Sequence, residues 1–197
     1  MSAYGDPTRT LTRSGITYAD LGLADKDALG SLAADLIEQA SDVVDAHCGR
    51  DFTHHVDESE RHDGTGRRRL RLRGHPIVAV ASVAVGGVSL TEDLEYEVDV
   101  GSGILERVDG AVWPPGLRNV SIVYSYGYVV TPGAIAGVVE DLVVGALTHA
   151  ARNRAVKGAS SMSMDGYSVA YSELSRLMAL APEQVQILDR YRAVGAA

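Results

Sequence analysis

The sequence predicts an α+β fold on three observations. Residues 25–49 and 131–156 carry apolar side chains at helical spacing. Between them, residues 50–128 break into short β-type runs punctuated by Gly, Pro and Asp. No helical pattern separates those runs, which suits a small antiparallel sheet or sandwich and not a parallel sheet. The expected architecture is two long helices packed antiparallel as a core, with the β-rich part inserted between them.

Residues 1–24 hold Gly5, Pro7, Gly15 and Gly22 without sustained periodicity, and read as an irregular N-terminal arm with a turn at Tyr18–Leu21. A single connecting domain then spans 25–197. Asp25 is placed to cap the first long helix and Gly49 to stop it. Leu29, Leu32, Ala33, Leu36, Ile37, Ala40, Val43 and Val44 form its stripe, and Asp35, Glu38, Asp42 and Asp45 lie mainly off it. Expected strands are Phe52–Val56, Arg69–Arg73, Ile77–Val85, Tyr96–Val98, Ile104–Glu106 and Val120–Tyr126, with Gly86-Gly87 as a hairpin turn. Thr131 and Pro132 then open the second long helix. Its stripe is Ile135, Val138, Val139, Leu142, Val143, Ala146, Leu147 and Ala150. Both helices would be about 35 Å long and able to lie side by side. Residues 157–171 suggest a loop or hairpin arm, and Pro182 opens a last helix over 182–194.

Charge is segregated along the chain. Met1–Gly66 carry 5 basic and 13 acidic residues, a net of −8; Arg67–Arg73 add +5; Gly74–Ala197 carry 8 basic and 13 acidic, a net of −5. An acidic body of this kind does not adhere to phosphate unaided. Basic residues are nearly all Arg, which with the abundant Ala, Gly and Val suggests a GC-rich genome. No apolar run approaches the ~20 residues of a membrane span, and the polar Met1–Ser14 does not look like a signal peptide. The expectation is a soluble chain. The single cysteine, Cys48, excludes an internal disulfide and falls where a small buried hydrophobe is expected.

Few residues invite chemistry. His54, His55, Asp57, Glu58, His62 and Asp63 are the one cluster that suggests a metal, but neighbours on a strand point to opposite faces, so His54 and His55 do not readily share an ion. Asp63-Gly64-Thr65-Gly66 lacks the preceding apolar strand and following helix of a phosphate-binding fingerprint, and reads as a turn. Ser160-Ser161 has no activating neighbour. Trp113 and Tyr124, Tyr126 and Tyr128 are expected to pack at a sheet edge. No catalytic, cofactor or metal residues are assigned. The unusual segment is Arg67-Arg68-Arg69-Leu70-Arg71-Leu72-Arg73. As a strand it sets Arg67, Arg69, Arg71 and Arg73 on one face, either a solvated face, a surface for the acidic face of a neighbouring copy, or a DNA contact. It carries no aromatic residue for base stacking.

The order of segments resembles the head–tail connector (head-completion adaptor) family of long-tailed double-stranded DNA phages. The likeness runs from Ile16 to Tyr171. It comprises A-D-L-I-E-Q-A-S-D-V-V-D-A-H-C-G-R-D-F (34–52), L-R-L-R-G-H-P-I-V-A-V-A-S-V-A-V-G-G (70–87), Y-E-V-D-V-G-S-G-I-L-E-R (96–107), W-P-P-G-L-R-N-V-S-I-V-Y-S-Y-G-Y (113–128), the P-G-A-I-A-G-V-V-E-D-L helix and D-G-Y-S-V-A-Y (165–171).

The resemblance implies a non-enzymatic virion subunit at the head–tail junction, made in the host cytoplasm and assembled into a homo-oligomeric ring, a dodecamer. It implies portal protein on one side and a tail-side adaptor or tail-completion protein on the other. Genomic DNA would pass through the channel without sequence-specific binding, and no membrane or cofactor is involved. Arg67, Arg69, Arg71 and Arg73 with Asp165, Tyr167 and Tyr171 are the expected interface residues. The Arg67–Arg73 run is longer than the family pattern requires. Another neck or tail-completion protein, or a small metal-dependent enzyme using His54–Asp63, are the alternatives.

Overall fold

The computed structural model describes residues 3–157 and 178–192. The fold is α+β, and the chain divides into two compact units, Met1–Phe52 with Thr131–Ala197, and Thr53–Val130.

The first unit is helical. Its elements are α1 (Pro7–Ser14), α2 (Tyr18–Leu21), α3 (Lys26–Cys48), α4 (Gly133–Lys157) and α5 (Pro182–Leu188), the last running into a 3₁₀ turn at Asp189–Tyr191. In α3 the Asp25 carboxylate accepts from the Ala28 N–H at 2.9 Å. The left-handed Gly49 closes the other end by donating to the Asp45 carbonyl. Leu29, Leu32, Ala33, Leu36, Ile37, Ala40 and Val44 are buried as the spacing requires, joined by Ser41 and Cys48. Helix α4 buries Ile135, Val138, Val139, Leu142, Val143, Ala146 and Leu147 and packs on α3. Each such aliphatic side chain contributes about 1.5–3 kcal/mol on burial.

Residues 3–24 form two short helices where an irregular arm is expected. Asp6 caps α1 by accepting from Arg9 N–H at 2.8 Å, Pro7 occupies its first turn, and Gly15 closes it in the left-handed region. Thr17 and Asp20 form a reciprocal capping box on α2. Ahead of α1, the buried Tyr4 donates its hydroxyl to Asp45 at 2.7 Å and accepts from Phe52 N–H at 2.8 Å. Its ring meets Phe52 edge-on. Helix α1 packs against both α3 and α4.

Gly133–Ala155 is long and apolar enough, by length and composition, to cross a membrane. Glu140 and Asp141 break its apolar stretch, so no uninterrupted apolar run reaches that length, and the core helix of a water-soluble protein meets the same criteria. In the structure Glu140 is itself buried and lies 3.4 Å from Arg9 Nε and 3.7 Å from Arg13 Nη1 of α1. Helix α5 is shorter than 182–194, and the expected arm at 157–171 lies outside the described residues beyond Lys157.

The second unit holds seven strands: β1 (His55–Gly64), β2 (Arg69–Arg71), β3 (Ile77–Val85), β4 (Val88–Leu90), β5 (Tyr96–Asp99), β6 (Ile104–Arg107) and β7 (Gly116–Tyr126). They form two antiparallel sheets, ordered β1-β7-β3-β4 and β2-β6-β5. Leu70, Tyr96 and Leu105 from the second sheet, with Leu72 just after β2, cluster with Ile77, Val83, Val120, Ile122 and Tyr124 from the first, and Trp113 completes the core. Gly86-Gly87 makes the expected hairpin, with Val85 opposite Val88. The expected strand Phe52–Val56 does not form. Phe52 is fully buried in the helical unit, and the strand starts at His55 and continues through the acidic run to Gly64.

Candidate subunit interface

The arginine run is half strand and half bend. Arg69–Arg71 form β2, the edge of the three-stranded sheet, whereas Arg67, Arg68 and Arg73 lie outside it. The expected four-arginine strand face is therefore shorter, because β6 offers β2 only Ile104–Glu106 as ladder partners. The alternation survives: Leu70 and Leu72 are buried, and all five arginines are exposed. Arg68 accepts from Arg107 N–H and Leu72 donates to Gly103, so alternation along the ladder turns the backbone groups of Arg69 and Arg71 away from β6. Charges on an open edge prevent indiscriminate strand pairing.

Three anchors hold this strip. Trp113 donates its indole N–H to the Arg68 carbonyl at 2.9 Å and its backbone N–H to the Arg67 carbonyl at 2.9 Å. The Arg107 guanidinium, 7% exposed, stands 5.6 Å over the Trp113 ring and pairs with Asp109, whose carboxyl this contact holds below its ordinary pKa. Trp113 is thus a core residue beneath the strip and not the sheet-edge residue expected.

The second anchor is Arg69 Nε on Glu106 at 2.9 Å, a directly opposed cross-strand pair. The third is Glu60, which turns inward from β1, accepts from the Tyr124 hydroxyl at 2.5 Å, and lies 3.2 Å from Arg73 Nε and 2.9 Å from His62 Nε2. Burial pushes the Glu60 pKa up, but His62 and Tyr124 outweigh it and hold the carboxyl below its ordinary value. Burial and the adjoining Glu60 push the Tyr124 phenol well above its usual range. Sequence reasoning missed Glu60, Trp113 and Tyr124 as supports. The available signal was a lone Trp, whose apolar body and single N–H favour a buried site with one fixed acceptor.

The other singled-out residues have separate surroundings. His54 is exposed, His55 stacks on Tyr126 with centroids 4.5 Å apart, and His62 is engaged by Glu60. Among the described residues, no three His, Cys, Asp or Glu side chains converge as a metal site. In Asp63-Gly64-Thr65-Gly66 the Gly64 N–H donates to Asn119 Oδ1 at 2.8 Å and the Gly66 N–H to the Trp113 carbonyl at 2.8 Å. Both glycine donors a phosphate would need are already used. A Cβ at Gly64 would stand 1.8 Å from the Pro114 carbonyl oxygen, so close backbone approach requires that glycine. Cys48 is fully buried, and burial with the nearby Asp45 pushes its thiol up to about 11. Ser160, Ser161, Asp165, Tyr167 and Tyr171 lie outside the described residues.

No family model matches the chain, and no curated protein sequence matches it. Solved structures similar to this chain include two particle necks. One is the neck of an empty GTA particle computed with C6 symmetry, 15% identical, with 100% of this chain and 95% of that chain covered at a TM-score of 0.49. The other is the neck of a native GTA particle computed with C12 symmetry, 16% identical, with the same coverages and a TM-score of 0.46. At these scores neither likeness carries an inference about this chain.

Proposed function

We propose that this chain is a structural head–tail connector subunit. It forms a ring beneath the portal, completes the DNA-filled head, and supplies a tail-attachment surface and part of the DNA conduit. The reading rests on the ordered resemblance from Ile16 to Tyr171. The observation in the structure that supports it best is the strip Arg67–Arg73, exposed along one sheet edge yet fixed from beneath by Trp113, Glu60 and Glu106. Five exposed guanidiniums on a rigid support serve recognition of an acidic partner better than they serve folding, since surface ion pairs contribute only about 0–1 kcal/mol each. In this reading the helical unit is the scaffold and the β unit presents contacts.

The test is to mix the full-length chain with portal and cross-link it. Closed rings attached to portal are the expected result. Cross-links to tail-tube protein alone would reassign the chain to tail completion, and a chain that stays monomeric with portal present would refute the ring.

A further inference from the structure

The outer face of the sheet β2-β6-β5 is graded in charge from edge to edge. Cross-strand register places Arg69, Glu106 and Glu97 in one row, and Arg71, Ile104 and Asp99 in the next. With strands about 4.8 Å apart, the basic edge lies about 10 Å from the acidic one. The basic edge carries five arginines between Arg67 and Arg73, and the acidic side carries five carboxylates: Glu92, Asp93, Glu95, Glu97 and Asp99.

Both sets are incompletely matched within the chain. Arg67, Arg68 and Arg71 have no carboxylate partner among the described residues, and Glu92, Asp93 and Glu97 have no basic partner there. Leu94 and Val100 project beside those acids at 72% and 52% exposure. Edge protection explains charges on β2, whose outer backbone is open, but not the acids along β5. That edge is already occupied in part, since Asp93 N–H donates to the Tyr96 carbonyl and Ile77 N–H to the Val100 carbonyl.

The geometry points to a contact between copies, in which the Arg67–Arg73 edge of one subunit docks on the Glu92–Asp99 edge of the next. The inference rests on the ring reading and specifies its interface. Two different patches at opposite edges of one sheet make a head-to-tail contact, which closes into a ring when its rotation closes and does not produce a two-fold dimer. The contact is made by side chains, because the backbone of β5 is already in use. Charge complementarity of this kind sets partner register and association rate, and it weakens as salt rises.

The test uses the full-length chain in two reversed forms. Arg68→Glu/Arg71→Glu turns the unmatched charge of the basic edge (Arg67, Arg68 and Arg71) from +3 to −1, and Glu92→Arg/Glu97→Arg turns that of the acidic edge (Glu92, Asp93 and Glu97) from −3 to +1; none of the four replaced side chains has an ion-pair partner within the described residues. Each variant alone is expected to lose ring formation at least tenfold, with helical and sheet circular dichroism unchanged. An equimolar mixture is expected to restore rings of alternating subunits, an outcome that misfolded variants cannot give. Neutral Arg68→Gln/Arg71→Gln should give a partial loss, and serves if the reversal unfolds the chain. Rings formed by either reversed variant as readily as by the wild type, or a mixture no better than its components, would overturn this contact while leaving the ring reading intact. Intact rings that have lost only DNA retention would assign the arginines to nucleic acid and overturn it as well. A wild-type chain that stays monomeric with portal present would overturn both readings.

Discussion

Removing Arg9 and Arg13 together should cost more stability than removing the carboxylate they face. Glu140 is 1% exposed in the N-terminal third of α4, with the Arg9 and Arg13 nitrogens at 3.4 Å and 3.7 Å. At an effective dielectric of 20 each attraction is about 4–5 kcal/mol before desolvation. The arginine side chains are mostly or half exposed, so much of that is returned by water when they leave. What remains is a buried carboxylate without a counter-charge. Breaking a fully buried pair from one side costs about 3–5 kcal/mol, and discounting for the exposed partners gives about 2 kcal/mol for Arg9→Ala/Arg13→Ala. Glu140→Met removes the charge, keeps the length, lets Arg9 hydrate and leaves Arg13 on Asp141, so it should cost under about 1 kcal/mol. The triple variant should differ from Glu140→Met only by loss of the exposed Arg13–Asp141 pair at 2.5 Å, about 0–1 kcal/mol. Urea unfolding followed by helical circular dichroism reports on this unit, since the chain's single Trp belongs to the other. A larger loss for Glu140→Met than for the arginine pair would refute the electrostatic account of how α1 is held.

Burial pushes the Asp45 carboxyl up from 3.8 to about 6, against the hydrogen bonds from Tyr4. Its stabilising protonation is complete below the unfolded value and lost as pH rises through about 6, so Asp45→Asn should gain stability relative to wild type across that window. The full shift corresponds to about 3 kcal/mol, reduced to about 1 kcal/mol for a partly exposed group, and unfolding curves at pH 4 and pH 8 measure the difference. Glu60 has the opposite sign: its depressed pKa stabilises above the ordinary carboxylate range, and that contribution disappears as pH falls through the folded value. Tyr124→Phe should remove part of this dependence and cost about 1–3 kcal/mol by taking a donor from Glu60 and an acceptor from Gly74 N–H; an acid-unfolding profile identical to wild type would contradict it. Trp113→Ala should cost about 3–5 kcal/mol and raise amide exchange at Arg107, which bonds to the Arg68 carbonyl beneath the same ring. Unchanged exchange there would mean the strip is held otherwise.

The two long helices were legible because their apolar period and their end residues agree; Asp25 and Gly49 do at α3 what their chemistry suggests. Helix α1 was not, because P-T-R-T-L-T-R-S has one apolar aliphatic residue and three threonines of modest helix propensity. It is placed by Arg9 and Arg13 meeting α4, a contact that no local pattern announces. Strand β1 was hidden for a related reason: its inward positions near the end are Glu60 and His62, so the alternation of an ordinary half-buried strand is missing. The arginine strip announced itself by composition, and its Leu70 and Leu72 alternation gave the buried face correctly. Its supports did not show, since Glu60, Glu106 and Trp113 stand 13, 37 and 45 residues away from the groups they hold. Pairings at that distance depend on sheet register, which residue spacing alone does not provide.

Electron microscopy of the purified full-length chain, alone and with portal, tests the central claim most directly. The account predicts closed single-layer rings that dissociate as salt is raised and that seat on the portal. A chain that remains monomeric in both samples, at concentrations where portal itself assembles, would contradict it.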